Sequence, residues 1–326
     1  MRILITGITG RIGANLAAAL TNDGHQVRGL VWDKDNDRDA DKLRGYDVEF
    51  VSGSLTEPDS LREAARGVEV VYHLGAAFQA GGPFEAKDYF EINARGTFNL
   101  LEAARAQDNL QHFFLASTDS VYKKSAPGGM KELISVEANP PQASNWYALS
   151  KVLAEELCIG YHRTHGMPNT VIRFCNTQGA GEFINYAAFW LSKMKDRPEL
   201  AAAWTGEERL IIATDVNGTP WKKHMGDVRD MVHGCTVGLG KAAAFGEVFQ
   251  LGGPRAFTWD TLIPYISEKT GVPCVEAKLS GDPTHYEYDL SKPRQLLGFE
   301  PQYDEFRMID DCIAFNNGED IGVLPT

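Results

Sequence analysis

The chain of 326 residues has no apolar run near the ~18 residues needed to span a bilayer, so no membrane helix is expected. Cysteine is scarce and scattered. Cys158, Cys175, Cys235, Cys274 and Cys312 include no Cys-x-x-Cys pair, which excludes a disulfide frame and a zinc site. They read as buried free thiols in a reducing compartment, and no metal is expected. Basic residues are outnumbered, 32 Lys and Arg against 44 Asp and Glu, and a net charge of −12 repels a nucleic-acid backbone. The densest basic run, Lys222-Lys223-His224, is too short to reverse that and is expected to be a solvated loop. Internal repeats, low-complexity tracts and flexible linkers are missing too. Arg2–Thr6 already reads as a core strand and leaves no room for a leader. A cytoplasmic protein acting on a small molecule, with no nucleic acid or membrane partner, is the expectation.

What is present is alternation. Short apolar runs at Arg2–Thr6, Gln26–Val31, Val48–Ser52, Val68–Leu74, His112–Ser117 and Thr170–Phe174 predict strands. Helical patterns fill the gaps near Gly10–Asp23, Pro58–Ala65, Lys87–Ala106 and Tyr147–His165. Strand and helix in turn predict an α/β fold with a doubly wound, Rossmann-type parallel sheet. After about residue 175 Gly, Pro and aromatics become frequent. Residues 1–175 are therefore expected to form the dinucleotide-binding domain. Residues 176–326 should form a smaller C-terminal substrate-binding lobe, with segments returning to the first domain.

Gly7, Gly10 and Gly13 lie between the first strand and the first helix. Such a triplet gives a tight turn, close approach of backbone to pyrophosphate and close packing of helix on sheet. The helix N-terminus at Arg11 and Ile12 adds free N–H groups and a partial positive charge. Asp33, after the second strand, favours the ribose hydroxyls of NAD, although Arg11, Lys34 and Arg38 offer charges that a 2′-phosphate of NADP could use. Tyr147 and Lys151 stand four residues apart on one face of a predicted helix. A free phenol has a pKa of about 10, and a neighbouring ammonium favours the phenolate that proton transfer needs. The hydroxyl-rich strand end Ser117-Thr118-Asp119-Ser120 can bond a substrate oxygen, or simply form a polar turn.

With these segments, Val71-Tyr72-His73-Leu74-Gly75-Ala76-Ala77, Asn93-Ala94-Arg95-Gly96-Thr97, Arg173-Phe174-Cys175-Asn176 and His224…Asp227-Val228 complete a resemblance. From residue 2 to about 300 the chain resembles the extended short-chain dehydrogenase/reductase superfamily, in its NAD-dependent epimerase/dehydratase branch. The resemblance implies that Thr118 binds substrate, Tyr147 is the acid/base and Lys151 its partner, also holding the nicotinamide ribose. It places Leu74 and Ala76 along the cofactor, Ser54 and Leu55 at the adenine, and Ala77, Asp119 and Asn176 at the substrate. It also implies a homodimer paired through Lys87–Ala106 and Tyr147–His165. Ser54 stands where the family usually has an aspartate, Gly75 replaces an alanine, and Trp32 stands where NADP members often carry arginine.

An epimerase and a plain dehydrogenase need the same residues. A dehydratase needs a glutamate where this chain has Ser120, and a dinucleotide sensor without catalysis has no use for Tyr147 and Lys151. Nucleotide-sugar epimerases clamp the diphosphate with arginines, which match phosphate oxygens bidentately. The corresponding positions hold Pro220, and Lys278 with Leu279. Lys222, Lys223 and Arg255 lie elsewhere. A free sugar, sugar acid or lactone is therefore expected as substrate.

Overall fold

The computed structural model describes residues 1–32, 38–78 and 84–326. Asp33 and Lys34 fall outside the described residues. Six strands run through the first half: β1 (Arg2–Thr6), β2 (Gln26–Val31), β3 (Val48–Ser52), β4 (Val70–His73), β5 (His112–Thr118) and β6 (Asn169–Phe174). In the second half come β7 (Asn176–Gln178), β8 (Leu210–Thr214), β9 (Lys222–Lys223), β10 (Met225–Asp227), β11 (Glu247–Leu251), β12 (Phe257–Thr258) and β13 (Cys274–Lys278). The central sheet has seven parallel strands in the order β11-β6-β5-β4-β1-β2-β3. Its order reverses direction between β1 and β4, the crevice where such sheets bind ligands.

The strand interiors are apolar because both faces are covered. One layer packs Ile3, Ile5, Tyr72 and Phe114 under the first helix, α1 (Arg11–Asn22). The other packs Leu4, Val71, Phe113 and Val171 under three helices, α2 (Pro58–Ala64), α4 (Gly96–Arg105) and α5 (Trp146–His165). A separate core around Phe183, Phe189, Trp221, Phe257 and Trp259 builds the second lobe on the β8·β13, β9·β12 and β7·β10 pairs. β11 lies in the second half of the chain yet closes the main sheet against β6. No helix among the described residues is long and apolar enough to cross a membrane. All five cysteines are free, and among the described residues no cluster could hold a metal.

Two expectations are corrected. The single helix expected over Lys87–Ala106 is α3 (Ala86–Tyr89), a π turn over Phe90–Arg95, and then α4. The Gly96 N–H reaches back five residues to Glu91, and the Asn93 carbonyl accepts the Thr97 hydroxyl at 2.5 Å. Lys222-Lys223-His224 is no solvated loop: Lys222 and Lys223 pair with β12. His224 is buried, accepts from the Tyr288 N–H at Nδ1 (3.1 Å) and so donates through Nε2 to the Gly253 carbonyl (2.9 Å).

Candidate active site

The glycine turn is set by contacts across the switch point. Gly7 has φ +68°, and a Cβ there would meet the Gly75 backbone nitrogen at 2.6 Å. A Cβ on Gly13 would stand 2.1 Å from the Gly7 carbonyl oxygen, so only glycine lets α1 start this close to the strand. Gly10 differs: its nearest obstacle is that same oxygen at 3.3 Å, and the rest of its surroundings are open. Ala14 N–H bonds back to Gly10, which leaves the N–H groups of Arg11, Ile12 and Gly13 for an anion. These features fit a dinucleotide pyrophosphate. The Arg11 guanidinium itself is engaged by Glu182 (2.7 Å) and the Thr177 carbonyl (3.1 Å), so its backbone N–H is what it offers.

Around the adenine positions, Leu55 packs on Gly96, and its carbonyl accepts from Asn99 at 3.0 Å. The Ser54 hydroxyl is used by its own turn, with Thr56 Oγ1 at 2.9 Å and the Thr56 N–H at 3.2 Å. Trp32 is 82% exposed at the end of β2.

A buried hydrogen-bond chain joins this loop to α5. Gly75 N–H donates to Thr6 Oγ1 (3.1 Å), whose hydroxyl faces His73 Nδ1 (2.8 Å); His73 Nε2 faces Thr97 Oγ1 (3.0 Å). Thr97 gives its one proton to the Asn93 carbonyl, so His73 must carry its proton on Nε2 and accept at Nδ1. Burial lowers its pKa to about 3, with Lys151 adding to the effect, and the ring stays neutral. The Asn93 amide clamps both backbone groups of Ala77 (2.7 and 3.0 Å) and reaches Ser150 Oγ at 2.9 Å, which itself donates to the Tyr147 carbonyl. The loop carrying Leu74, Ala76 and Ala77 is thereby tied to the helix that carries the phenol. Asn93 and His73 had no role assigned from sequence. A polar residue facing the core inside a helical pattern was the available signal.

Helix α5 begins at Asn145, whose side chain accepts the Ala148 N–H at 2.9 Å. Tyr147, Lys151 and Glu155 then fall one turn apart on its buried face. Tyr147 packs edge-on against Phe78 (5.6 Å) and Tyr89 (6.3 Å). Burial pushes the phenol up to about 12; the adjacent Thr118 hydroxyl opposes the shift and the Asp119 charge adds to it. Lys151, expected to pull the phenol down, does not enter that balance. Burial lowers its own pKa to about 8, and Glu155 works the other way. Glu155 is held by Arg173 (2.9 and 2.7 Å) and Ser117 (2.5 Å), while Arg173 also donates to Tyr122 (2.9 Å).

Thr118 ends β5, buried, accepting the Ser120 N–H at 3.1 Å. Asp119 turns one carboxylate oxygen to Tyr288 (2.6 Å) and Lys124 (3.0 Å). Asn176 opens β7 with its side chain exposed, and its amide oxygen accepts from Gln178 at 2.5 Å.

Comparisons with known proteins agree with this geometry. The sequence model of the NAD dependent epimerase/dehydratase family matches residues 3–252. A short-chain dehydrogenase/reductase superfamily protein of Agrobacterium tumefaciens, solved with bound NAD, is 31% identical with a TM-score of 0.84, covering 98% of each chain. A UDP-glucose epimerase of Bacillus subtilis, itself uncharacterised, is 27% identical across 92% of this chain and 93% of its own. A dTDP-glucose 4,6-dehydratase of Streptomyces niveus is 28% identical across 93% and 88%. The chain belongs to the NAD-dependent epimerase/dehydratase family, enzymes of the extended short-chain dehydrogenase/reductase type.

Proposed function

We propose that this enzyme interconverts a carbinol and a carbonyl on a small carbohydrate-like molecule, a free sugar, sugar acid or lactone, using NAD. The reading is supported by Tyr147 and Lys151 lying one turn apart on the buried face of α5, with the buried Thr118 hydroxyl beside the phenol. NAD supplies the hydride acceptor and donor. The backbone of Gly10, Arg11, Ile12 and Gly13 would hold its pyrophosphate, and Lys151 its nicotinamide ribose. Tyr147 moves the proton of the reacting hydroxyl, and Thr118 orients that oxygen. With burial holding it at about 12, the phenol keeps its proton at neutral pH, the form that protonates a carbonyl. Running the other way requires positive charge that favours the phenolate, and the oxidised nicotinamide ring, held at its ribose by Lys151, would bring it. By its place in the sequence after β2, Asp33 is the feature that favours NAD over NADP.

The small-substrate reading rests on the second lobe. Arg255 is paired with Asp304 (3.2 Å) and Glu305 (3.0 Å), and Lys222 with Glu287. Pro220 and the buried Leu279 stand at positions where a nucleotide-sugar epimerase is expected to carry arginine clamps. The relatives named for UDP-glucose and dTDP-glucose support a second reading, a nucleotide-sugar epimerase. Calorimetry with UDP and UDP-glucose separates the two: micromolar binding of either removes the small-substrate reading. Nucleotide that stays bound through purification would favour an epimerase over a dehydrogenase.

We further propose a homodimer. Trp146, Leu149 and Leu153 form an exposed apolar stripe on α5, and Phe98 is exposed on neighbouring α4. Contiguous apolar surface of this kind marks an interface.

A further inference from the structure

Among the described residues three basic side chains are buried: Lys151, Arg173 and Lys223. Burying an ammonium or guanidinium is costly unless an anion accompanies it. Arg173 has Glu155. The other two have no carboxylate within ion-pair distance among the described residues, and one of them is the lysine of the catalytic helix. Lys223 is the other. Its ammonium donates to the Tyr186 hydroxyl and lies 4.3 Å from the centre of that ring. A phenol is a weak substitute for a counter-ion.

Lys223 has company. The Tyr286 hydroxyl is buried and, although near Tyr288, has no partner at hydrogen-bond geometry. Trp221 lies two residues before Lys223, on the same face of an extended segment, and its indole N–H has no acceptor either. The Tyr286 N–H donates to the Lys222 carbonyl (3.1 Å), which sets Tyr286 beside β9, the strand that carries Lys223 and follows Trp221. That region adjoins the catalytic floor. The Tyr286 ring stands 5.5 Å from that of Tyr288, whose hydroxyl donates to Asp119 (2.6 Å), the residue that follows Thr118. Lys124 and Tyr288 already balance the Asp119 carboxylate, so it does not bar a second anion nearby.

We propose that Lys223 and Tyr286, with Trp221 behind them, form a subsite for a carboxylate on the substrate. This rests on the small-substrate reading and narrows it to sugar acids. A carboxylate has two acceptor oxygens and one charge, which suits one ammonium and neutral donors. A diphosphate carries more charge and calls for a free bidentate guanidinium, whereas Arg197, 6.0 Å from the centre of the Trp221 ring, is engaged by the Ser280 carbonyl (3.0 Å) and Glu199 (3.7 Å).

The test is calorimetry on the NAD-loaded enzyme with glucuronate, galacturonate, gluconate, the neutral hexoses glucose and galactose, inorganic phosphate and UDP-glucose. At least one acid should bind ten-fold or more tighter than its neutral counterpart. Lys223→Met should remove that advantage and leave neutral-sugar binding within three-fold. Tyr286→Phe, which deletes one oxygen, should weaken only the acid and guards against misfolding of the lysine variant. Equal binding of acids and neutral sugars by the wild type overturns the subsite and leaves the small-substrate reading intact. Micromolar binding of UDP-glucose overturns both. Phosphate binding that Lys223→Met abolishes, with no acid preference, overturns the carboxylate assignment.

Discussion

At Tyr147, burial and chemistry pull against each other. The surroundings that exclude water from the reacting oxygen also hold the phenol at about 12. Tyr147→Phe keeps the ring and its packing and removes only the proton carrier. If Tyr147 carries the proton as proposed, turnover should fall by about 10²–10⁴ while NAD affinity stays within about three-fold. Stopped-flow reduction and cofactor titration check both halves. Lys151 gives the opposite signature. Its folded-state pKa is lowered from 10.5 to about 8, so the unfolded chain binds that proton more tightly. Its ammonium therefore costs stability below about pH 8, and the cost fades as pH rises toward 10.5. Lys151→Met should stabilise the cofactor-free protein by roughly 2–3 kcal/mol at pH 7, less at pH 10, while turnover is lost. Thermal melts at the two pH values decide it; a destabilised variant at pH 7 would contradict the burial cost.

Elements meet at the glycine turn and along α5. Gly13→Ala places a methyl 2.1 Å from the Gly7 carbonyl, so α1 must move away from β1. Dinucleotide affinity should drop at least ten-fold, by roughly 1.4 kcal/mol or more, as the N–H groups at the helix start lose their aim. Gly10→Ala, facing open space, should leave the fold unmoved and hinder only the bound cofactor. Comparing the two in melts and cofactor titrations tells helix packing from ligand clearance. On α5, Glu155→Gln leaves Arg173 buried with no anion, a loss of about 3–5 kcal/mol. Urea unfolding measures that, and a loss below about 1 kcal/mol would show water reaching the pair.

For the whole molecule, the apolar stripe of Trp146, Leu149 and Leu153 should be covered by a second copy. Leu153→Glu places a charge in that face and should yield monomers by analytical ultracentrifugation, with secondary structure unchanged. A wild type that sediments as a monomer would contradict the dimer.

The strands β1 to β6, the glycine turn and the Tyr147–Lys151 helix were legible in the sequence because their causes are local. Alternating apolar runs, a glycine at positive φ and a four-residue spacing act within a few residues of chain. β11 was missed, since Glu247 and Gln250 break up its short apolar pattern and only its fit against β6 makes it a sheet strand. The π turn was missed because its mark is a backbone bond, Gly96 N–H to the Glu91 carbonyl, that side-chain periodicity does not specify. What only the tertiary structure decided is the state of each charge and hydroxyl. Tyr288 meets Asp119 across 169 residues of chain, and Arg11 meets Glu182 across 171. Desolvation and distant partners set a side chain's protonation and availability, and the folded chain alone brings those together.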